Sequence, residues 1–220
     1  MPQSQAQSLR VADEVVVFTG DLVGSSKLAP EDLAKAMSTL EVAARAVVDT
    51  FGHGEALFAG FRGDGWQCLG PAPAFALRGA LIMRASIAAL GRPFDTRISI
   101  GIGSGWRVED ADVAVSSGPA FELSGRGLDT MEHVRRFAVA WDEPPDGTAL
   151  LRAIFALCDE ISRNWTPGQA RVFARLLIER QRPNQETLAR ELGIRQQTVA
   201  DHLAGGGDWA LQDALKAVEE

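Results

Sequence analysis

Hydrophobic and polar positions over residues 14–141 alternate between the strand period and the helix period. The apolar run over 14–19 predicts a strand buried on both faces, and 96–102 alternates like a strand with one apolar face. Apolar residues at helical spacing predict helices over 31–51 and 74–90. The other predicted elements are strands over 56–60, 65–69 and 134–141 and a helix over 119–131. This order, β-α-β-β-α-β and then a helix and a strand, predicts an α/β (α+β) fold with a split βαβ, ferredoxin-like sheet.

The pattern changes after residues 142–147, whose sequence DEPPDG indicates a linker between domains. Beyond the linker every apolar pattern has the helical period. It predicts helices over 148–163, 167–180, 184–192, 195–204 and 208–219. We therefore predict a disordered tail over 1–10, an α/β domain over 11–142 and an all-helical domain over 147–220. The helical core is predicted to contain Phe155, Trp165, Phe173 and Trp209.

Composition is that of an ordinary soluble protein, with 220 residues of which 46% are hydrophobic and 23% charged. Cys68 and Cys158 lie too far apart in the sequence for a metal-type pair, and we predict free thiols in a reducing compartment. The first ten residues lack an apolar signal core, and no apolar run approaches the roughly 18 residues that cross a bilayer. We therefore expect a cytoplasmic protein with no membrane partner.

Charge is distributed unevenly. The net charge of −7 argues against a protein that coats nucleic acid. Residues 163–207, however, hold seven Arg against four acids, a balance of +3. A local basic surface in an acidic protein can still bind DNA.

Two acids stand in settings that suit a metal ion next to a phosphate. Asp21 ends an apolar run, and a turn rich in Gly and Ser follows it in residues 15–26, VVVFTGDLVGSS. Asp64 lies in the turn between the two short strands predicted over 56–60 and 65–69. Because the predicted sheet pairs these strands with the first one, we expect the two carboxylates to share an ion. Each acid alone also fits a plain turn or a helix cap.

Four segments resemble, in the right order, the motifs of class III nucleotidyl cyclases. They are residues 18–25, 63–65, 97–105 and 118–126. The resemblance implies Mg²⁺ or Mn²⁺ at Asp21, Leu22 and Asp64, next to a nucleoside triphosphate. It also implies that Arg97 pairs with phosphate and that Arg126 stabilises charge on the α-phosphate. The backbone N–H groups implied to hold the phosphates are those of Leu22, Val23, Gly24, Ser25 and Ser26.

The chain departs from the cyclase pattern at three positions. Glu122 stands where the cyclases have a transition-state Asn, and Gly60 stands where adenylate cyclases have a base-reading Lys. Gly103 replaces a residue that is often His. The residues that bind metal in the cyclase pattern are therefore present, whereas those that read the base and stabilise the transition state are replaced.

A similarity to the SatD family, a poorly characterised group of bacterial proteins, covers nearly the whole chain. It rests on residues 20–25, the Gly-Ile-Gly of 101–103, residues 117–121 and the C-terminal helix pair. It adds little chemistry.

Residues 185–203 fit a helix-turn-helix. Leu188 and Leu192 pack the first helix, Gly193 suits the left-handed turn after it, and Val199 packs the second helix. The outward positions of the second helix could reach a major groove. These candidate DNA-binding residues are Arg195, Gln196, Gln197, Thr198 and Asp201.

The sequence thus predicts a ligand-responsive, DNA-binding transcriptional regulator with a metal- and nucleotide-binding sensor domain. One alternative is an active nucleotidyl cyclase, or another phosphoryl-transfer enzyme, regulated by its C-terminal domain. Another is a pure interaction module. We expect a homodimer, because cyclase-like folds tend to pair and helix-turn-helix proteins usually read two half-sites.

Overall fold

The computed structural model of the protein describes residues 14–52, 56–61, 63–104, 107–109 and 112–220. The tail predicted to be disordered, residues 1–10, lies outside the described residues, as does Arg62 of the predicted hairpin. The described part is a mixed α/β structure with a five-stranded mixed sheet and eight α-helices.

Strand β1 (Val15–Leu22) lies at the centre of the sheet. It pairs antiparallel with β3 (Gly65–Leu69) on one side and with β4 (Thr96–Gly103) on the other. Beyond β3 lies β2 (Phe58–Phe61), and beyond β4 lies β7 (Phe137–Trp141), which runs parallel to β4. The strand order is therefore β2-β3-β1-β4-β7. The predicted pairing of the first strand with the hairpin is confirmed.

Helices cover both faces of this sheet, because successive side chains of a strand point to opposite faces. Phe18 points toward α1 (Pro30–Phe51) and α2 (Ala76–Ala88), and it joins the main hydrophobic core. Its neighbour Val17 lies in a smaller cluster on the opposite face, with Ala120 of α3 (Pro119–Asp129). Both faces are buried at β1, as the continuous apolar run predicts.

Helix α3 approaches the sheet closely through small residues. A Cβ atom added at Gly101 of β4 would lie 2.0 Å from the backbone oxygen of Ala120, so only glycine fits there. Further along α3, the hydroxyls of Ser124 and of Thr19 in β1 share a hydrogen bond of 2.7 Å. These contacts direct the C-terminal end of α3 toward the ends of β1 and β4 where Asp21 and Arg97 lie.

The C-terminal segment packs directly on the sheet part. Its buried side chains belong to the same continuous core as those of β1, α1 and α2. Arg78 of α2 forms two hydrogen bonds, of 2.6 and 2.8 Å, with the carboxylate of Glu219. Arg180 donates to the carbonyl of Thr50 at 2.7 Å. The helices of this C-terminal segment are α4 (Thr148–Arg163), α5 (Pro167–Leu177), α6 (Gln185–Leu192), α7 (Gln196–Gly205) and α8 (Asp208–Glu219).

Several predicted boundaries change in the structure. The last sheet strand begins at Phe137 rather than at residue 134, because a turn closed by the Arg135 N–H and the Glu132 carbonyl precedes it. Helix α3 ends at Asp129 and α5 ends at Leu177, each shorter than predicted. A short hairpin of β5 (Arg107–Glu109) and β6 (Asp112–Ser117) was not predicted from the sequence.

One predicted core residue is wrong. Trp209 is 73% exposed on α8, whereas Phe155, Trp165 and Phe173 are buried as predicted. Trp165 stacks on Phe173 with their ring centroids 4.5 Å apart. The helical period does not by itself say which apolar residue near a helix start turns inward.

Asp95 fixes the start of β4 and is predicted to make stability depend on acid. Its carboxylate accepts hydrogen bonds from Arg84 of α2 and from Arg136, each of 2.6 Å. Burial alone raises the pKa of Asp95, but the charges and hydrogen bonds of the two arginines outweigh it and lower the pKa below its ordinary value. A depressed pKa in the folded state stabilises the fold above the unfolded pKa of about 3.9, and this contribution is lost as pH falls through the folded value.

We therefore expect Asp95→Asn to lower the free energy of unfolding at neutral pH by about 2 kcal/mol, a typical loss for charge-assisted hydrogen bonds. Urea titrations of both proteins from neutral pH downward measure the difference. It should shrink as the wild-type carboxylate is protonated. A difference that stays constant down to about pH 2 would contradict this role of Asp95.

Candidate functional site

Asp21 lies inside β1, one residue before the strand ends, and not in the turn after a strand over 14–19. In the ladder it lies opposite Arg97 of β4 on one side and Gly65 of β3 on the other. Strand alternation places its side chain on the same face as Thr19, which is the face that α3 covers. The carboxylate therefore lies at the rim of the sheet, near the C-terminal end of α3.

Arg97 pairs with Asp21 through both of its carboxylate oxygens. Arg97 Nε donates to Oδ1 at 2.9 Å, and Arg97 Nη2 donates to Oδ2. The two side chains are 23% and 24% exposed. The hydrogen bond to Asp21 raises the pKa of Arg97, and the charges of Asp21, Asp129 and Asp64 add to this against the cost of burial. Arg97, which the resemblance implies binds phosphate, thus pairs with the carboxylate of Asp21 in this structure.

Asp64 lies in the turn of the β2–β3 hairpin and is tied to the loop that follows β1. The Ser25 hydroxyl donates to its carboxylate, and the Leu22 N–H donates to its carbonyl at 3.2 Å. Ser25 begins a single 3-10 turn, Ser25–Lys27, and Gly24 before it has a left-handed φ of 69°. The structure therefore brings Asp21, Asp64 and Arg97 together at one end of the sheet, although they lie far apart in the sequence.

Only part of the predicted phosphate cradle has N–H groups to offer. The N–H of Leu22 donates to Asp64, and the N–H of Val23 donates to the carbonyl of Asp95 at 2.9 Å. Among the described residues, the N–H groups of Gly24, Ser25 and Ser26 have no hydrogen-bond acceptor. The side chain of Leu22 is buried, so only its carbonyl could reach an ion.

Three carboxylates act on the guanidinium of the site. They are those of Asp21, Asp129 and Asp64, and their charges favour the charged form of Arg97. In the part of the chain that the structure describes, no group of three or more His, Cys, Asp or Glu side chains could hold a metal ion. Mg²⁺ commonly takes one or two carboxylates and completes its shell with waters and phosphate oxygens. The donor set therefore suits a metal ion that arrives with a phosphate ligand rather than a metal held by protein alone.

The two candidate catalytic residues of α3 lie elsewhere. Glu122 and Arg126 are exposed, and neither has a hydrogen bond or ion pair with Asp21 or Asp64. At 100° per residue, Arg126 lies about 200° around the helix from Ser124, which faces the sheet. Arg126 instead lines a groove beside β7 and α4. Arg126 therefore does not lie next to the acids of its own chain, and its predicted role at the α-phosphate stays a prediction.

The sequence analysis did not identify the residues that hold the backbone of Asp21 in place. The Thr96 hydroxyl donates to the Asp21 carbonyl at 2.7 Å, and Trp66 Nε1 donates to the Thr96 hydroxyl at 3.2 Å. It also missed Asp129, whose charge acts on Arg97. The alternation of 96–102 places Thr96 and Arg97 on opposite faces, which was the available signal for their separate roles.

Capping and turn residues set the bounds of helices α6 and α7. Asn184 caps α6 by accepting the N–H of Thr187 at 2.8 Å. Gly193 ends α6 with a left-handed φ of 65°, and α7 begins three residues later. Leu188 and Val199 are fully buried between the helices and the rest of the core. The predicted helices and the turn between them are present.

The outer face of α7 presents the candidate DNA-binding residues to solvent. Arg195, Gln196, Gln197 and Asp201 are exposed, and Thr198 is half-buried. Gln197 Nε2 donates to Asp201 Oδ1 at 2.9 Å.

The basic surface around α7 is smaller than the count of seven arginines suggests. Arg175 pairs with Glu179 and Glu191, at 2.6 and 2.8 Å. Arg182 pairs with Asp208 through two hydrogen bonds of 3.0 and 2.6 Å. Among the described residues, Arg195 has no hydrogen bond or ion pair, and neither has Arg190 of α6. These two arginines are therefore available to a phosphate backbone, and Arg171, which donates to the carbonyl of Leu192 at 2.9 Å, has no carboxylate partner among the described residues.

Comparison with known protein-family models finds no match, and comparison with curated proteins finds none either. The resemblances to nucleotidyl cyclases and to the SatD family therefore stay predictions from the residues. Within the described ranges, the chain forms no helix that is both long and apolar enough to span a membrane.

Proposed function

We propose that the protein is a ligand-responsive DNA-binding regulator whose sheet part binds a nucleotide together with a divalent metal. The convergence of Asp21, Asp64 and Arg97 at one end of β1 carries this proposal. The order β2-β3-β1-β4, with antiparallel neighbours, supports a ferredoxin-like, cyclase-type sheet. The two carboxylates lie close to a loop whose N–H groups at residues 24–26 have no acceptor among the described residues, and this arrangement suits Mg²⁺ or Mn²⁺ with a phosphate.

The ion pair between Arg97 and Asp21 would have to open for a metal to bind. Without a ligand the guanidinium neutralises Asp21. Asp21 and Asp64 would hold a divalent metal, and Arg97, released from Asp21, would pair with the phosphate that accompanies it. The N–H groups of Gly24, Ser25 and Ser26 would donate to the remaining phosphate oxygens.

The helix pair α6–α7 is the proposed DNA reader, a helix-turn-helix with α7 in the major groove. Gln196 and Gln197 have the side chains that bond adenine edges, and Arg195 can bond guanine or phosphate. Two copies of the chain would be needed to read two half-sites, so a homodimer belongs to this proposal.

An active cyclase is supported less well than a regulator. Arg126 lies in the groove beside β7, away from the acids, so turnover would need a second chain to supply a transition-state cation. Glu122 stands in the sequence where the cyclase pattern has an Asn, and a carboxylate cannot donate the hydrogen bond that the Asn supplies. Release of pyrophosphate with Mn²⁺, lost in Asp21→Asn, would favour the enzyme.

DNA binding by α7 is tested with the full-length protein and a random pool of duplex oligonucleotides, selected by retention and then measured by fluorescence anisotropy. We expect Gln196→Ala with Gln197→Ala to weaken binding of the selected sequence by about tenfold or more, because each bidentate base contact contributes about 1–3 kcal/mol. Gln212→Ala, on the exposed face of α8, is the matched control. Equal affinity in all three proteins would contradict the assignment of α7.

A further inference from the structure

A groove between α3 and α4 has the outer edge of β7 as its floor. Its volume is about 420 Å³, within the roughly 300–1,000 Å³ of ligand-binding pockets. Leu123 and Met131 line one side, and Phe155 of α4 lines the other. β7 is the last strand of the sheet on this side, so nothing in the described sheet pairs with its outer edge.

The backbone of β7 offers unpaired hydrogen-bonding groups to this groove. The N–H of Ile98 in β4 donates to the carbonyl of Arg136 at 2.7 Å, and Ile98 lies opposite Phe137 in the register. In a parallel ladder this turns the peptide groups of Phe137 and Val139 away from β4. The carboxylate of Asp159 in α4 accepts a hydrogen bond from the N–H of Phe137 at 3.2 Å. The N–H and carbonyl of Val139 have no partner in the described part of the chain.

The rim of the groove is basic. Arg126, Arg135 and Arg152 line it and are exposed, and the single carboxylate among the lining residues is that of Glu132. Arg135 reaches Glu132 only at 3.4 Å, and Arg126 and Arg152 form no ion pair with any described residue. The charges of the lining residues sum to 3 − 1 = +2.

We propose that the edge of β7 is a docking site for an extended acidic peptide segment of a partner protein. The segment adds as a short strand next to β7, pairs with the main chain of Val139 and places its carboxylates against Arg126, Arg135 and Arg152. Its apolar residues rest on Met131 and Phe155. The site lies apart from Asp21 and α7 and does not depend on the function proposed for them.

Two other occupants fit the groove less well. Two copies of the chain that paired through β7 about a two-fold axis would bring like-charged arginine clusters together, which is unfavourable. A nucleic acid would match the arginines, but it would not use a strand edge that offers both a donor and an acceptor between apolar walls. An acidic strand satisfies all three features.

The test uses a fluorescent heptapeptide of alternating glutamate and valine with capped ends, titrated with the full-length protein and followed by anisotropy. We expect binding, and we expect Arg126→Glu with Arg152→Glu to weaken it at least about tenfold, because attraction becomes repulsion. Arg92→Glu, at an exposed arginine in the turn before β4, is the control and should bind the peptide as the wild type does. Alternate N–H groups of an added strand face β7, so N-methylation of either all glutamate or all valine nitrogens should abolish binding, but not both.

Four results of the binding experiment would overturn the proposal. They are equal binding by the double variant, equal binding of the matching lysine–valine peptide, no effect of N-methylation at either set of nitrogens, and displacement of the peptide by a short single-stranded oligonucleotide that the double variant fails to bind. Sedimentation of wild type and double variant without peptide gives a further check. A dimer that only the wild type forms would assign the groove to a second copy instead. Thermal unfolding of the double variant should match the wild type, since both arginines are exposed.

Discussion

Replacing Trp66 with alanine is expected to lower the free energy of unfolding by about 3–5 kcal/mol. Trp66 is fully buried in β3, where it stacks on Phe58 with the ring centroids 6.2 Å apart. It also fills the space above Gly20 of β1, where an added Cβ would lie 2.3 Å from the indole. The variant loses this packing, leaves a cavity next to the central strand and removes the hydrogen bond to Thr96.

Trp209→Ala provides the matched control, because the same side chain is 73% exposed there. Its effect should stay within about 0.5 kcal/mol. Urea unfolding followed by far-ultraviolet circular dichroism measures both variants. Two equal losses, or a loss below about 1 kcal/mol for Trp66→Ala, would mean that β3 does not pack as described.

The second large effect is expected at Asp21. A ligand that binds only the folded state raises the melting temperature, and a ligand at one hundred times its Kd adds about 2.7 kcal/mol. We expect Mn²⁺ together with one of the common ribonucleoside triphosphates to raise the melting temperature of the wild type. Asp21→Asn should remove this shift, because it removes the charge at the centre of the proposed metal site.

Asp49→Asn is the control for Asp21→Asn, since Asp49 is an exposed acid on α1 outside the site. Titrations with metal alone and with nucleotide alone separate the two ligands. A donor set of two carboxylates predicts that neither ligand alone reproduces the combined shift. A shift of equal size in Asp21→Asn would place the ligand elsewhere, and the absence of any shift would leave no nucleotide site.

The sequence predicts the sheet well where one signal dominates. The apolar run ending in Asp21 and the alternation over 96–102 identify β1 and β4, and the hairpin turn brings Asp64 beside them. The pairing of Arg97 with Asp21 could not be predicted, because strand alternation gives the face of a side chain and not its register with a neighbouring strand.

The orientation of α3 was equally hidden from the sequence. A motif that ends in Arg126 places the arginine on a helix, but the direction of its side chain follows from which residues of the helix approach the sheet. Gly101 and Ser124 decide this through a close backbone approach and a hydroxyl pair. Trp209 is exposed for a related reason, because Leu211 and Leu215 are the buried residues of α8 and Trp209 lies about 200° around the helix from Leu211.

A continuous set of contacts joins the candidate site to the proposed reader. The N–H of Val23, next to the acids, donates to Asp95, and Asp95 binds Arg84 of α2. Helix α2 packs on α5, and Arg175 of α5 pairs with Glu191 of α6. A change at the end of β1 can therefore alter the placement of α6–α7 if both sites bias the same packing.

The central claim is that occupancy of the site at Asp21 and Asp64 changes DNA binding by α7. The direct measurement is the Kd for the selected duplex with and without Mn²⁺ and each common ribonucleoside triphosphate, at fixed ionic strength, for wild type and Asp21→Asn. We predict that one metal–nucleotide pair changes the Kd of the wild type by about fivefold or more and leaves that of Asp21→Asn unchanged. An identical Kd with and without every pair, in a wild-type protein that binds the duplex, would contradict the account.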